Sequence, residues 1–249
     1  MTGGPAAVRL EGVSKAFAGQ TVLDDLSIEV PRGRAVVVLG RSGTGKSVML
    51  KHIIGLVKPD RGRVYVEGED ITSLPAHALA RIRTRIGFLF QNAALFDSIS
   101  VGENVAFPLR RHTQLPDADI RSRARQKLAA VGLEPAYDKM PADLSGGMRK
   151  RAGLARAMAL DPPILLVDEP SAGLDPITAA EIDELLLGVN RNSGTTLIVV
   201  THHMMSARAL ADELVFLHEG RVLARGPVAT LDASPNSLVR AFLDSQGAG

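Results

Sequence analysis

Eight residues, Gly40-Arg41-Ser42-Gly43-Thr44-Gly45-Lys46-Ser47, have the types and spacing to hold a polyphosphate. Glycines at 40, 43 and 45 let the backbone bend so that successive N–H groups point into one concavity. A helix opening at the end of the run turns its positive N-terminus to the same point. Lys46 is placed to reach the β- and γ-phosphates, and the Ser47 hydroxyl to ligate a magnesium ion. A second chemical pair, Asp168-Glu169, ends the apolar run Ile164-Leu165-Leu166-Val167. Interior carboxylates are costly unless paired or metal-bound, so Asp168 is expected to hold the magnesium, directly or through water, opposite Ser47. Glu169 is then free to take a proton from attacking water. Further along, Ser145-Gly146-Gly147-Met148 opens a helix with the same N–H and dipole chemistry, and His202-His203 stand at the tip of a strand, where a side chain touches a terminal phosphate. The bland alternatives are a glycine-bearing turn, an acidic pair capping its own turn, and a histidine serving as a structural hydrogen-bonder.

These groups need elements to position them. Ala35-Val36-Val37-Val38-Leu39 is a short β-branched run of the kind a buried parallel strand requires, and it leads into the cradle. Val48, Met49, Leu50, Ile53 and Ile54 give the following helix its apolar face, with Gly55 to stop it and Pro59 beyond. Val8 to Val30 reads as antiparallel strands around Ala18-Gly19-Gln20, and Arg61 to Val66 as a further strand able to join them. Phe17, at the end of the first strand, either stacks on a purine base or packs in the small core. Ile86 to Phe90 is the next buried strand, and Gln91 is its first polar residue. Strand signals then vanish from Asn92 to about Ala159, and Asp117 to Ala130 has apolar positions at helical spacing, so residues 92–159 are expected to form an inserted helical lobe. Asp175 is placed as an N-cap with Pro176 in the first turn, and that helix runs to Gly194. Thr195 to Thr201 is another strand, Leu214 to Leu223 a closing hairpin, and a last helix after Ser234-Pro235 carries Leu238, Val239, Phe242 and Leu243 on one side.

Composition narrows the class. A chain of 249 residues with 45% apolar and 22% charged residues buries a sizeable core. Its apolar runs fall far short of the ~20 residues that cross a bilayer. Met1 to Ala7 has neither a basic start nor an apolar stretch, so no secretory signal is expected and these residues read as loose. With no cysteine, disulfides and thiolate chemistry are excluded, and a reducing compartment fits. A net charge of +2 makes no case for nucleic acid, and the basic runs at 81–85, 121–127 and 149–151 read as solvated helix faces.

In their order, cradle, Gln91, Leu144-Ser145-Gly146-Gly147, Asp168-Glu169, Asp175 and His202 resemble an ABC-type ATPase subunit over nearly the whole chain. The resemblance implies an α/β fold: a P-loop NTPase (RecA-like) core with an antiparallel β subdomain and an inserted helical subdomain. It would span 8–244, with core and β subdomain at 8–91 and 160–230, helical subdomain at 92–159 and C-terminal helix at 234–244. ATP with Mg2+ is then the expected ligand, held by Phe17, Val22, Gly40, Arg41, Ser42, Gly43, Thr44, Gly45, Lys46, Ser47 and Val48. Phe17 would stack on adenine, and Ser47, Gln91 and Asp168 would serve the metal. Glu169, His202, Lys46 and Gln91 would be catalytic. Ser145, Gly146, Gly147, Met148 and Asp175 would close over the nucleotide of a second copy, which makes a homodimer necessary.

Within that family, Leu-Phe-Gln-Asn-Ala-Ala-Leu-Phe from Leu89 and the stretch Asn104 to Pro116, with Met148 where most members have Gln, are similar to the ATPases of Mla-like phospholipid transporters. That similarity implies a permease in the inner membrane, a periplasmic lipid-binding MCE-domain protein and a small STAS-domain regulator, with this chain peripheral on the cytoplasmic face. The permease would dock near Leu95, Phe96 and the loop after Gln91. One departure is His203, where the family usually has Asp; the switch role falls to His202, which leaves the strand first. The alternatives are another importer, a soluble iron-sulfur assembly ATPase, a DNA-repair or cell-division member, and a generic P-loop kinase. The near-neutral charge and the missing cysteine pairs argue against DNA repair, and the Ser145 motif with Asp168-Glu169 argues against the kinase.

Overall fold

Ala35, Val37 and Leu39 face one apolar core while Val36 and Val38 face another. Leu165 and Val167 are divided in the same way from Ile164 and Leu166, and Leu197 and Val199 from Ile198 and Val200. Strands buried on both faces need layers on both sides, and the period-two alternation of side chains supplies one stripe to each.

The computed structural model describes residues 6–247. The chain opens with two long antiparallel strands, β1 (Ala6–Phe17) and β2 (Gln20–Pro31). The cradle strand β3 (Ala35–Leu39) leads to α1 (Lys46–Ile53), then β4 (Arg61–Val66), β5 (Glu69–Asp70), α2 (Ala76–Arg83) and β6 (Ile86–Leu89). Between β6 and the next strand the described elements are all helical: α3 (Val101–His112), α4 (Asp117–Ala130), two short 3-10 turns and α5 (Gly146–Ala157). Next come β7 (Ile164–Asp168), α6 (Pro176–Ser193), β8 (Thr196–Thr201) and α7 (Met204–Leu210). The hairpin β9 (Glu213–His218) and β10 (Arg221–Gly226) is followed by α8 (Val228–Asp232) and α9 (Ser237–Gly247).

A four-stranded antiparallel sheet has the order β2-β1-β4-β5, and a six-stranded sheet the order β10-β9-β3-β8-β7-β6. In the larger sheet β9, β3, β8, β7 and β6 are parallel and only β10 runs antiparallel. One core, with Met49, Leu50, Ile53, Leu79 and Ile82 from α1 and α2, fills the space between the two sheets. The other packs α3 to α7 and the C-terminal helices against the opposite face.

Several expectations need correction. Met1 to Pro5 lie outside the described residues, but Ala6 and Ala7 belong to β1, Ala6 paired against Pro31 and the buried Ala7 accepting the Glu67 N–H at 2.7 Å, and are not loose. Helix α3 escapes a pattern reading because Pro108 lies inside it. Leu238 is 47% exposed while Val239 and Phe242 are buried, so α9 buries a narrower stripe than expected. Nor are the basic runs simple solvated faces. Arg83 donates to the carbonyls of Ile54 and Gly55 at 3.1 and 3.0 Å and so serves the end of α1. Arg125 lies 4.1 Å from the centre of the Tyr137 ring, and Lys150 is buried.

Asp183 on α6 is also buried, with Oδ1 lacking any partner among the described residues. Burial pushes its carboxyl above the usual range, with the nearby Ser206 hydroxyl opposing the rise. The folded chain therefore binds this proton more readily than the unfolded one, and the associated stability is lost as pH rises from the ordinary carboxylate range through the raised value. Asp183→Asn should raise the melting temperature by roughly 2–4 °C near pH 8, with the gain shrinking toward about pH 4. Calorimetry showing an equal gain at both pH values would exclude this origin.

Candidate functional site

Because β3, β8, β7 and β6 lie side by side and parallel, their C-terminal ends open on one edge of the sheet. Each tip delivers a polar group. The cradle leaves β3, His202 follows β8, Asp168 and Glu169 end β7, and Gln91 stands just past β6. A cavity of about 370 Å³ lies there, lined by Val22 from β2 with Ser42, Gly43, Gly45, Lys46, Ser47, Val48, Gln91, Glu169 and His202; Asp168 stands behind it, bonded to Ser47.

Two glycines set the cradle. Gly45 has φ +98°, and a Cβ there would stand 2.7 Å from the Val22 carbonyl and from Leu23 Cδ2. Gly43, at φ +83°, faces open space. Helix α1 starts at Gly45 with no side-chain cap and no acid in its first turn, which leaves its leading N–H groups to an anion. The Lys46 amine donates to the carbonyls of Gly40 and Arg41 at 2.8 and 3.1 Å and lies 3.4 Å from Glu169 Oε1. All three donors are thereby occupied, so an arriving phosphate exchanges with one of these partners.

Glu169 is 8% exposed and holds φ +46°. Its second carboxylate oxygen accepts from His202 Nδ1 at 2.9 Å and from the His202 backbone N–H at 3.3 Å. An ionised carboxylate only accepts, so Nδ1 carries the proton and Nε2 is left to the cavity. The His203 ring lies 4.1 Å from that of His202, and burial, then the neighbouring imidazole, push its pKa down. The Ser47 hydroxyl donates to Asp168 Oδ1 at 2.9 Å. Burial holds the Asp168 carboxyl up, opposed chiefly by that hydrogen bond.

A magnesium ion fits this pair. Hydroxyl and carboxylate oxygens are its preferred donors, and no group of three or more acidic or histidine ligands forms a complete cage among the described residues. One or two protein oxygens completed by phosphate oxygens suit Mg2+ better than a protein cage.

Not every expected residue meets here. Phe17, at the end of β1, is 44% exposed and lies outside the cavity lining, with Lys15 Nζ 5.4 Å from its ring centre. Gly40, Arg41, Thr44 and Asp168 lie outside the lining, and Ser145, Gly146, Gly147, Met148 and Asp175 are also absent from it. Instead Ser145 caps α5, accepting from the Met148 N–H at 3.3 Å, and Asp175 caps α6 through the Ile177 and Thr178 N–H groups.

Lys150 was missed as a site residue. It is 5% exposed and donates to the Glu169 carbonyl at 2.9 Å. Its signal was a charge sharing a helix face with Gly147 and Leu154 at three- and four-residue spacing. Arg156 was missed too; it donates to the carbonyls of Ala93 and Ala94 beyond Gln91.

Residues 23–172 match the family model described as ABC transporter. Over 243 residues the chain is 42% identical to the probable ribonucleotide transport ATP-binding protein mkl of Mycobacterium leprae, covering 98% of this chain and 70% of that one. It is 40% identical over 237 residues to the intermembrane phospholipid transport system ATP-binding protein MlaF of Escherichia coli, covering 95% and 88%. Among solved structures it superposes with TM-score 0.83 and 34% identity on a dimeric ATP-binding cassette in a post-hydrolysis state bound to ADP and Pi, covering 89% of this chain and 98% of that one.

Removing the ammonium from the cradle should show directly in binding. Lys46→Ala is expected to weaken ATP affinity by about 10- to 100-fold, the worth of a charge-assisted contact. Unchanged affinity in a fluorescence titration would remove Lys46 from the phosphate site.

Proposed function

We propose that this chain, which belongs to the ABC transporter ATP-binding family, hydrolyses ATP between two copies of itself to power phospholipid transport between membranes. The observation that carries the hydrolytic reading is the meeting of Lys46, Glu169, His202 and Gln91 at adjoining strand tips around an uncapped helix start. Lys46 and the leading N–H groups of α1 would spread the charge of the terminal phosphate. Ser47 and Asp168 would hold magnesium with Gln91 beside them, and the ion supplies charge neutralisation on the phosphate oxygens. Glu169 would take the proton of the attacking water, with His202 Nε2 directed at the phosphate.

Five expected residues, Ser145, Gly146, Gly147, Met148 and Asp175, do not reach the cavity of their own chain. Ser145 and Gly147 stand away from the chain's own cavity, which supports a second copy bringing them to it, as does the dimeric form of the matched cassette. Glu169→Gln should keep ATP binding, slow turnover by about 100-fold or more and trap the dimer. Normal steady-state turnover in that variant would take Glu169 out of the reaction.

The relatives' names divide between ribonucleotide and phospholipid transport. The stretch from Leu89 to Pro116 favours phospholipid, as does the near-complete span of the E. coli relative. Loss of lipid exchange between vesicles in the reconstituted complex, with nucleotide uptake intact, would reverse the choice.

Partners follow from the same reading. Among the described residues no helix is long and apolar enough to cross a membrane, so movement of lipid requires a permease, with the chain peripheral on the cytoplasmic face of the inner membrane. An MCE-domain lipid carrier and a STAS-domain regulator complete the proposed assembly. Docking is supported by a groove of about 350 Å³ where Phe96 and Phe107, 45% and 46% exposed, stand with ring centres 5.0 Å apart beside Arg83 and His112. Asn104 fixes this edge, bonding both the N–H and the carbonyl of Phe96. Phe96→Asp should abolish co-purification of the permease while ATP affinity stays within about twofold, since a charge in an apolar contact is expensive and the cavity is untouched. Intact assembly in that variant would move the docking site elsewhere.

A further inference from the structure

We propose that Lys150 is a positioning residue that joins the helix closing one nucleotide site to the main chain of the glutamate acting in the other. The inference rests on the two-copy reading above, in which Ser145 at the start of α5 faces the nucleotide held by a partner.

An ammonium is rarely kept inside a protein without use. Burial lowers the pKa of Lys150, with the nearby Asp168 and Glu169 carboxylates opposing that fall. Its recorded hydrogen bond goes to a backbone atom, the Glu169 carbonyl, at 2.9 Å. That carbonyl also accepts the Ala172 N–H at 3.2 Å, and the Glu169 N–H donates to Val200 at 2.9 Å. Left-handed φ at a residue with a side chain persists only where the surroundings over-determine it. Lys150 is one of those determinants, because it grips one end of the peptide whose other side aims the carboxylate at Lys46 and His202. It never meets the reacting atoms; it acts through Glu169.

The same helix makes a second tie. Arg156, less than two turns further on, donates to Ala93 and Ala94, both of which also hold left-handed φ, just beyond Gln91. Helix α5 is thus a rod about 18 Å long whose start is offered to the partner's nucleotide and whose flank holds both Glu169 and the Gln91 loop of its own chain. A shift at Ser145 when the partner binds ATP reaches Glu169 through Lys150. Simple space-filling accounts poorly for a lysine here. Its side chain borders a cavity of about 300 Å³ shared with Asn92, Gly173 and Leu174, so the site is not close-packed around it.

The test uses the full complex with three variants. Lys150→Met keeps length and stem but donates nothing; it should lower kcat by about 10-fold or more, leave KM for ATP within about twofold and flatten sigmoidal ATP dependence toward a Hill coefficient near one. Lys150→Arg, which can still donate, should restore both kcat and cooperativity to within about threefold of the parent. Wild-type kcat in Lys150→Met overturns the proposal. So does a parallel loss of nucleotide affinity, which marks a merely structural lysine. If the Met variant does not fold, Lys150→Gln carries the comparison, with a partial kcat loss at constant KM expected and a parental kcat overturning the idea. Glu169→Gln is assayed alongside: full turnover there would defeat the reading of the site itself, whatever Lys150 does.

Discussion

A buried ammonium and a buried carboxylate, Lys46 and Glu169, stand 3.4 Å apart at the centre of this structure. Taking both charges from water costs several kcal/mol per ion, recovered only where the remaining donors and lone pairs are also satisfied. Here they are. Gly40 and Arg41 carbonyls take the other amine protons, and His202 takes the other carboxylate oxygen. The pair and its three partners come from three adjacent strand tips, so the pair tolerates little drift in the parallel register of β3, β8 and β7. Breaking it by removing one member leaves the other charge stranded, a loss of about 3–5 kcal/mol.

The rest of the molecule serves that register. The alternating valines of β3 anchor it in two cores at once, and the antiparallel sheet lies over α1 on one side while the helical segment covers the other. The helical segment is joined to this frame by a shared apolar core and, at its loops, by specific bonds. Arg156 fixes the loop after Gln91, and Asn104 fixes Phe96. A displacement of α5 would reach the tips through these same atoms.

What the sequence made legible was whatever local chemistry demands. An anion cradle needs its glycines, lysine and serine within eight residues, and a strand-end acid pair stands out against four apolar neighbours. Capping at Asp175 was equally visible, since a cap bonds only two or three residues away. Lys150 and Arg83 were misread because their partners lie 19 and 28 or 29 residues off, and only the fold brings those carbonyls near. Helix α3 was obscured by Pro108, a breaker by local rule that tertiary packing of Val101, Val105 and Leu109 overrides. Phe17 illustrates the opposite case, where an aromatic in the expected place of the chain is exposed and does not line the cavity.

The aromatic groove carries one more implication. Its aromatic wall comes from α3 and the segment around Ala94 and Phe96, its floor from β6 and α5, and it shares no lining residue with the cradle cavity. Descent with modification could thus redraw the groove for a new membrane companion while the hydrolytic machinery is inherited intact. Kindred chains of nearly equal likeness can then diverge in cargo, and a label naming the cargo belongs to the companion as much as to the motor.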